Sequence, residues 1–515
     1  MQGIRRFTGF LAPALLLAST AGAEPLDLLG SWEGTIDYFI IGAPLAIDGP
    51  DTDTTQVDTL DQPAFVDVTA TDVPAAAGVV EVYLFWGGTI PDQDDCATAP
   101  SEIDDEVGFT VPGATAPVSV VADECFCEIG ATSYDIQSCR ANVSTIVTSS
   151  GMHGSFGVEG FDALIRNGST DNASFALVIV YDEPDLLDPR RVALYDGLEE
   201  LYLSSRSMTL AGLDVDTPAR GDLAWYVLDG DVGGTGTEHV EVSGIPGGAS
   251  TRPWDSVNPV DNPMNRTINT VTPPATGVIG VDVDMLDIAA GLTPGDTSAL
   301  MTYATGEDKY WVVLNMIGIN VYKAHIATRS SRKSWDLLVD ADSSSTPTPG
   351  DTIRFTIHLE NVGTAPGYAD LTDEIPPEFS SWSMVSTGGG TDESSGTTLH
   401  VVDIFLAVGG TADVLFDAVI GTVADGTSIT NLVDFDAGPE GNSGTLVAPP
   451  VVIGGEVPDE TPEPVDEVVE VVDTVEPVDA TDADTDLDAT PDTAPDVPGD
   501  EGDTSRGCGC SVPGG

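Results

Sequence analysis

The sequence has very few basic residues. Its 515 residues include 17 lysines and arginines against 85 aspartates and glutamates, which gives a formal net charge of −68. Nucleic acids and anionic membrane surfaces are bound through basic patches, so this composition argues against both as partners. An acid excess of this size favours solubility, divalent cations or a salty exterior.

Long apolar runs are also lacking. After the N-terminal segment no run of about 18 apolar residues occurs, so no membrane-spanning helix is predicted. The start, MQGIRRFTGFLAPALLLASTAGAEP, has an arginine pair, a short apolar run and the small-x-small sequence Ala21-Gly22-Ala23. This pattern predicts a secretory signal peptide over 1–23, cleaved after Ala23. The expected location is secreted, extracellular or on the outer surface of a bacterium.

Recognisable catalytic motifs are absent from the sequence. The five histidines are scattered and form no metal-binding spacing, and neither a G-x-S-x-G elbow nor a phosphate-binding loop occurs. We therefore expect a protein that is not an enzyme. A hydrolase acting on an extracellular polymer is an alternative, because a pair of catalytic carboxylates can come from distant strands.

Cysteine is rare, with six residues, and four of them lie together: Cys96, Cys125, Cys127 and Cys139. A bridge between Cys125 and Cys127 would close a cramped ring. We expect one of these two to pair with Cys96 and the other with Cys139, so that two disulfides staple a loop over about 92–140. A metal site is the alternative; disulfides are favoured because no histidine accompanies the cluster.

What the sequence does contain, from 24 to 322, is a series of short apolar or alternating runs between turn residues, which predicts a large β-sandwich domain. The run FALVIVYDEP is apolar on both faces and predicts a buried central strand over Phe175–Tyr181. The run VDVDMLDIAAGL is predicted to form one short helix. The alternation in VVEVYLFWGG predicts one shared face for Val80, Val82, Leu84 and Trp86.

A change of composition marks a second domain. Residues 323–334, KAHIATRSSRKS, are rich in basic residues and poor in bulky apolar ones, which predicts a linker. Over 335–453 short strands follow one another, and the first alternates strictly. The pattern predicts a small Ig-like β-sandwich, so the whole fold is expected to be all-β. The residues predicted to face its core are Ile353, Phe355, Ile357 and Leu359.

These segments resemble known families. The order PGDTIRFTIHLENVGTAPGYADLTDEIPPEF, followed by ADVLFDAVI and NLVDFDAG, resembles the conserved Ig-like repeat of bacterial and archaeal surface proteins (domain of unknown function eleven) over 336–450. The resemblance implies a spacer or stalk module without catalytic residues. The runs VYLFWGGT, ALVIVYDEPDLLDPRRVALYDGLEEL and MLDIAAGLTPGDTSALMTYATGEDKYW resemble an uncharacterised β-domain of secreted bacterial proteins that is often adjacent to such repeats, which implies one unit over 26–322.

The C-terminal segment has a different composition. Residues 454–507 are rich in Asp, Glu, Pro, Thr and Val, and we expect a disordered, extended acidic stalk. The last residues, 508–515, carry Cys508 and Cys510. GCGCSVPG resembles the cysteine element of myxobacterial C-terminal sorting tags, although the membrane helix and arginine cluster of those tags do not follow. The resemblance implies membrane attachment or processing at these cysteines; a small disulfide ring or a free thiol pair is the alternative.

Acid-rich loops suggest one possible cofactor, calcium, which prefers hard oxygen ligands. The segment VLDGDVGGTGTEH offers Asp229, Asp231 and Glu238, and DQDD offers Asp92, Asp94 and Asp95. The alternative is that these are solvated acids in turns.

The order of signal, large domain, spacer, stalk and cysteine tag predicts a surface-displayed adhesion protein. Its N-terminal domain is expected to bind the ligand and to be presented on the Ig-like spacer and the acidic stalk. Its expected partner is an extracellular ligand such as a glycan, the matrix or another cell, and its only expected contact with a membrane is a C-terminal anchor. A structural component of the envelope is the first alternative.

Overall fold

The computed structural model describes residues 24–49, 56–91, 103–131, 134–166, 171–183, 186, 188–232, 238–306, 308–438 and 441–455. These residues belong to one compact unit, and they confirm the all-β prediction. Within them lie 32 strands, one α-helix, α1 (Ser144–Ser150), and one 3-10 helix (Ala289–Gly291). Several predicted features lie outside the described residues: the signal peptide with Ala23, the acidic stalk from 456 onward, the acids Asp92, Asp94 and Asp95, and the cysteines Cys96, Cys508 and Cys510.

The strands up to residue 320 are β1 Glu24–Gly34, β2 Ile36–Pro44, β3 Ala46–Ile47, β4 Thr59–Leu60, β5 Ala64–Val68, β6 Gly78–Pro91, β7 Glu106–Thr110, β8 Val118–Val121, β9 Glu124–Ala131, β10 Tyr134–Asn142, β11 Gly154–Glu159, β12 Ala173–Asp182, β13 Arg190–Leu201, β14 Ser205–Ala211, β15 Gly221–Leu228, β16 His239–Ile245, β17 Thr267–Ile268, β18 Ala275–Thr276, β19 Val281–Asp287, β20 Ser298–Ala304 and β21 Tyr310–Asn320. The later strands are β22 Arg332–Val339, β23 Thr352–Glu360, β24 Gly367–Glu374, β25 Phe379–Thr387, β26 Thr391–Asp392, β27 Thr398–Leu406, β28 Thr411–Ile420, β29 Ser428–Ile429, β30 Leu432–Asp436, β31 Ser443–Val447 and β32 Val451–Val452.

The large N-terminal part is a stack of four sheets. The first outer sheet, β5-β11-β7-β8, packs on the first central sheet, β2-β12-β6-β10-β9. The other face of that sheet packs on the second central sheet, β1-β13-β21-β15-β19-β17-β18. The second central sheet is covered on its other face by the second outer sheet, β14-β20-β16. Three apolar layers separate the four sheets. Both faces of the two central sheets are covered, so an inner strand such as β12 is buried on both sides. β12 is the buried internal strand that FALVIVYDEP predicts.

A β-bulge corrects one predicted face. Val82, Leu84 and Trp86 share a face of β6, as the alternation predicts, and they pack in the layer against β5, β7 and β11. Val80 packs in the opposite layer. The pairing of β6 with β12 shifts by one residue between Val79 and Glu81, and such an extra residue reverses the direction of the side chains that precede it.

The predicted helix in VDVDMLDIAAGL is wrong. The segment forms β19 followed by the 3-10 helix. Its valines alternate with aspartates, and this period of two puts Val281 and Val283 in the apolar layer between the central sheets. Asp282 and Asp284 are buried on the other side, where they accept hydrogen bonds from the backbone.

The last part is a two-sheet sandwich with the predicted alternation. Sheet β22-β23-β28-β25 faces sheet β26-β27-β24-β30-β31 across one apolar core. The predicted core residues of β23 are all fully buried in it: Ile353, Phe355, Ile357 and Leu359.

The segment predicted as a linker is held on both sides. Lys323 forms an ion pair with Glu33 of β1, while its backbone N–H donates to Thr364 of the sandwich at 3.1 Å. The strand β22 already begins at Arg332, and Lys333 is buried. Basic residues in this segment therefore make specific contacts, which composition alone does not reveal.

Candidate functional site

The predicted disulfide framework is confirmed at Cys125 and Cys139. The two residues face each other across β9 and β10, and their Cα atoms are 4.0 Å apart. Cys127 is also disulfide-bonded. The bridge ties an edge strand, β9, to the central sheet, and it is consistent with an oxidising environment. No helix in the described part of the chain is long and apolar enough to cross a membrane.

The structure does not bring the predicted calcium ligands Asp229, Asp231 and Glu238 together as a ligand set. Among the described residues, the acids whose three carboxylate oxygens lie within 4.8 Å of one another are in a different loop, which is described below. Asp231 forms an ion pair with Arg266. Glu238 is buried, and its Oε1 accepts a hydrogen bond from the backbone N–H of Met264 at 2.7 Å.

Two further carboxyls surround Glu238. Asp308 and Asp282 both lie close enough for their charges to raise the pKa of Glu238, and Asp282 is fully buried. Burial raises the pKa of Glu238 to about 10 and the pKa of Asp282 well above its ordinary value. Glu238 therefore carries a proton at neutral pH. The hydrogen bond from Met264 ties Glu238, which directly precedes β16, to the segment before β17.

The acidic cluster that can hold a metal ion lies in the loop between β22 and β23. Asp340, Asp342 and Asp351 each place a carboxylate oxygen within 4.8 Å of the other two. Asp351 is fully buried and accepts hydrogen bonds from the backbone of Ala341 and Thr348, each at 2.7 Å. Hydrogen bonds, that from the Ser344 hydroxyl foremost, lower the pKa of Asp342. All three side chains are therefore held in place at one point of the loop.

The spacing of the acids along the sequence, rather than their number, indicates this cluster. In DADSSSTPTPGD the acids occupy the first, third and twelfth positions, with Ser344 fifth, which is the ligand spacing of a twelve-residue calcium loop. The sixth position of such a loop is usually glycine because the chain turns sharply there. Here it is Ser345, which adopts the left-handed region with φ 64°. The loop connects two strands rather than two helices.

A groove of about 580 Å³ lies where the four-sheet stack meets the sandwich. Tyr322 borders it on the stack side and Tyr368 on the sandwich side. The charged residues that line it are four aspartates and one lysine, namely Asp214, Asp370, Asp403, Asp436 and Lys323.

Aromatic side chains are exposed beside this groove. Tyr368 and Phe405 are directly paired across β24 and β27, with ring centroids 5.4 Å apart, and both are more than half exposed. A bulge in β27 around Asp403, whose φ is 57°, sends Asp403 and Phe405 to the same outer face. The backbone N–H of Asp403 donates to Asp370 at 2.9 Å. The sequence gives little indication of this site, because its residues come from distant segments.

A second cleft, of about 570 Å³, bears on the alternative of a hydrolase. It is lined by charged side chains that include Arg190 and Asp222, which form an ion pair at 2.5 Å. Arg190 is also ion-paired with Asp37. None of the described residues that line this cleft is aromatic. A cleft of this kind lacks the stacking surface expected where a sugar polymer is bound.

Comparisons with known proteins do not identify a family. No family model matches the chain, and no curated protein matches it. Among solved structures, a candidate beta-galactosidase from Bacteroides fragilis has 12% identity and a TM-score of 0.17, with 51% of this chain and 32% of that chain covered. A glycosyl hydrolase family 2 member from Bacteroides cellulosilyticus has 10% identity and a TM-score of 0.15, with 50% and 28% covered.

A candidate membrane-anchored protein from Corynebacterium diphtheriae has 9% identity and a TM-score of 0.17, with 84% of this chain and 98% of that chain covered. The chain spans about a third of the length of the two hydrolases above. These distant similarities concern β-rich domains alone and identify no activity.

Proposed function

We propose that this chain is a non-enzymatic extracellular binding protein that acts in adhesion at the cell surface. The observation that supports it is the groove between the stack and the sandwich. Of the six exposed aromatic side chains among the described residues, three gather there: Tyr322, Tyr368 and Phe405. Exposed aromatic surface next to a concave, polar-lined groove is characteristic of a ligand site.

The proposal differs from the prediction in the position of the binding surface. The order of segments predicts that the N-terminal domain binds the ligand and that the Ig-like domain is a spacer. In the proposal the sandwich contributes Tyr368 and Phe405, and the stack contributes Tyr322. The contacts of Lys323 with Glu33 and with Thr364 fix the two parts beside the groove. The sandwich therefore acts as part of the site.

A glycan array and a cell-adhesion assay on the full chain test this function. Binding to a glycan, a matrix component or a cell surface is expected. A negative result in both assays overturns the proposal and favours a structural role in the envelope, in which copies associate through their sheet edges. Light scattering at increasing protein concentration then detects such assembly.

We place the protein outside the cell, attached through Cys508 and Cys510, and the support for attachment is the resemblance of GCGCSVPG to sorting tags. Two acyl chains hold a protein at a membrane far better than one. The double variant Cys508→Ala, Cys510→Ala is expected to move the protein from the membrane fraction to the medium. Unchanged fractionation contradicts the attachment.

We further propose that calcium is the metal held by Asp340, Asp342 and Asp351. Their carboxylates are hard oxygen ligands, and their spacing along the loop is that of a calcium loop. The loop joins β22 to β23, so a bound ion would stabilise the sandwich and leave the groove residues unchanged.

A further inference from the structure

We infer that the groove between the stack and the sandwich binds an amino sugar oligomer, a chain of sugar rings that carry free ammonium groups. This inference rests on the proposed function, because it names the ligand class of the same site. It follows from the charge of the groove, from its aromatic surface and from the strand pairing beneath it.

The charge of the groove selects a cation. Four aspartates line it against one lysine, and the ammonium of that lysine, Lys323, is already ion-paired with Glu33. The whole chain carries a formal net charge of −68, so the surrounding field has the same sign. Anionic polysaccharides are repelled from such a groove, whereas an ammonium group is attracted to it.

The aromatic surface selects a ligand with flat apolar faces. The rings of Tyr368 and Phe405 are tilted by 58° to each other, and both side chains are more than half exposed. They form an angled aromatic surface beside the groove, which Tyr368 lines. Ring faces attract ammonium groups and pack against the C–H faces of sugar rings. Tyr322, which is 47% exposed, provides a second aromatic contact on the opposite side.

The strand pairing argues against an extended peptide. Peptides commonly bind sheets by adding a strand to a free edge, where main-chain groups are unpaired. The groove lies beside β24, which is paired with β27 on one side and with β30 on the other. Side chains therefore dominate recognition. The carboxylates of Asp370 and Asp436 each accept one backbone hydrogen bond, from Asp403 and Gly438, and these bonds restrict the orientation of both carboxylates.

Isothermal titration of the full chain with three probes tests this inference. The probes are a β-1,4-linked glucosamine hexamer, the same hexamer fully N-acetylated, and hexalysine, all at about pH 6, where the free amines are protonated. The glucosamine hexamer is expected to bind at least about tenfold more tightly than either other probe. Its affinity is expected to fall in about 0.5 M salt, which screens the attraction.

Variants locate the binding. Tyr368→Ala and Asp436→Asn are each expected to weaken binding of the glucosamine hexamer about tenfold or more. Trp254→Ala, which removes a side chain that is 67% exposed outside this groove, is expected to leave it unchanged. Circular dichroism of each variant verifies folding.

Three results overturn the inference. If hexalysine binds as tightly as the glucosamine hexamer, the groove recognises charge alone. If the acetylated hexamer binds as tightly as the glucosamine hexamer, the groove does not recognise the ammonium groups. An absence of binding by all three probes rules out the amino sugar. If a neutral glycan then binds on the array and requires Tyr368, the proposed function stands without this inference; if nothing binds on the array or in the adhesion assay, both fail.

Discussion

Lys333 and Asp373 form an ion pair in the core of the sandwich, with Nζ and Oδ2 2.5 Å apart and both side chains fully buried. The ammonium lies 5.5 Å from the ring centre of Phe355 and 5.6 Å from that of Phe416. A buried pair of this kind is costly to break, because the remaining charge has no partner. The pair is therefore an ionic contact inside the sandwich, next to two aromatic residues of its core.

Removal of one partner is expected to destabilise the protein more than removal of both. Lys333→Met or Asp373→Leu alone should lower the free energy of unfolding by about 3–5 kcal/mol, whereas the double variant should lie within about 1 kcal/mol of the wild type or above it. Urea unfolding of the three variants measures this. Additive losses in the double variant would contradict the account.

The same pair predicts a pH profile. Burial raises the pKa of Asp373 to about 6 and lowers the pKa of Lys333 to about 8. The contribution of Asp373 is present below its ordinary pKa of 3.8 and is lost as the pH rises through about 6. The contribution of Lys333 is present above 10.5 and is lost as the pH falls through about 8. Stability from this pair is thus lowest between pH 6 and 8, and the double apolar variant should lack that minimum.

Glu238 predicts a second dependence on pH. Its pKa is raised to about 10, so its contribution to stability is present below its ordinary pKa of 4.5 and is lost as the pH rises through about 10. Glu238→Gln keeps a neutral side chain of similar size and shape at this position, and it removes the loss of stability because it has no proton to release. Between pH 5 and 9 the variant should lose less stability than the wild type, by at least about 1 kcal/mol.

Urea unfolding at several pH values checks the expectation for Glu238. Glu241→Gln in β16, the strand that begins directly after Glu238, is the matched control, because Glu241 is partly exposed and paired with Arg252. Parallel profiles for wild type and Glu238→Gln would show that Glu238 is ionised in the folded protein.

Calcium is expected to raise the melting temperature. A ligand at about 100 times its dissociation constant stabilises the folded state by about 2.7 kcal/mol. Asp342→Asn should abolish the difference between calcium and chelator. Asp392→Asn should retain it, since Asp392 is an exposed acid with a lowered pKa that lies outside the cluster. No difference in the wild type would rule out calcium at this loop.

The disulfide between Cys125 and Cys139 predicts a loss of stability on its removal. The two residues are 14 apart in sequence, and a closed loop of this length is worth about 3 kcal/mol in the chain-entropy estimate. The double variant Cys125→Ala, Cys139→Ala should lose about that amount in chemical unfolding. An unchanged unfolding midpoint would show that the pairing of β9 with β10 does not depend on the bridge.

The sequence predicts local β-structure well because its signals are local. The alternation over β23 and the apolar run of β12 follow directly from side-chain period and burial. The order of four stacked sheets is not local, since an apolar strand indicates that both its faces are covered but not by which sheets. The bulge at Val80 cannot be predicted from the sequence either, because one extra residue leaves the composition of the strand unchanged.

The two candidate sites also differ in how far the sequence predicts them. The spacing of Asp340, Asp342 and Asp351 lies within one short segment, so it can be found in the sequence. The groove joins Tyr322, Tyr368 and residues of β27 and β30, and only the packing of the stack against the sandwich brings them together. Long-range contacts of this kind leave no periodic pattern in the sequence.

Binding by the aromatic groove is the central claim, and the most direct measurement is a glycan array on which the full-length wild type is compared with two variants. Tyr368→Ala removes an aromatic side chain from the groove, and Trp254→Ala removes one outside it. The account predicts that Tyr368→Ala loses the signals of the wild type and that Trp254→Ala retains them. Identical signals from the wild type and Tyr368→Ala would contradict it.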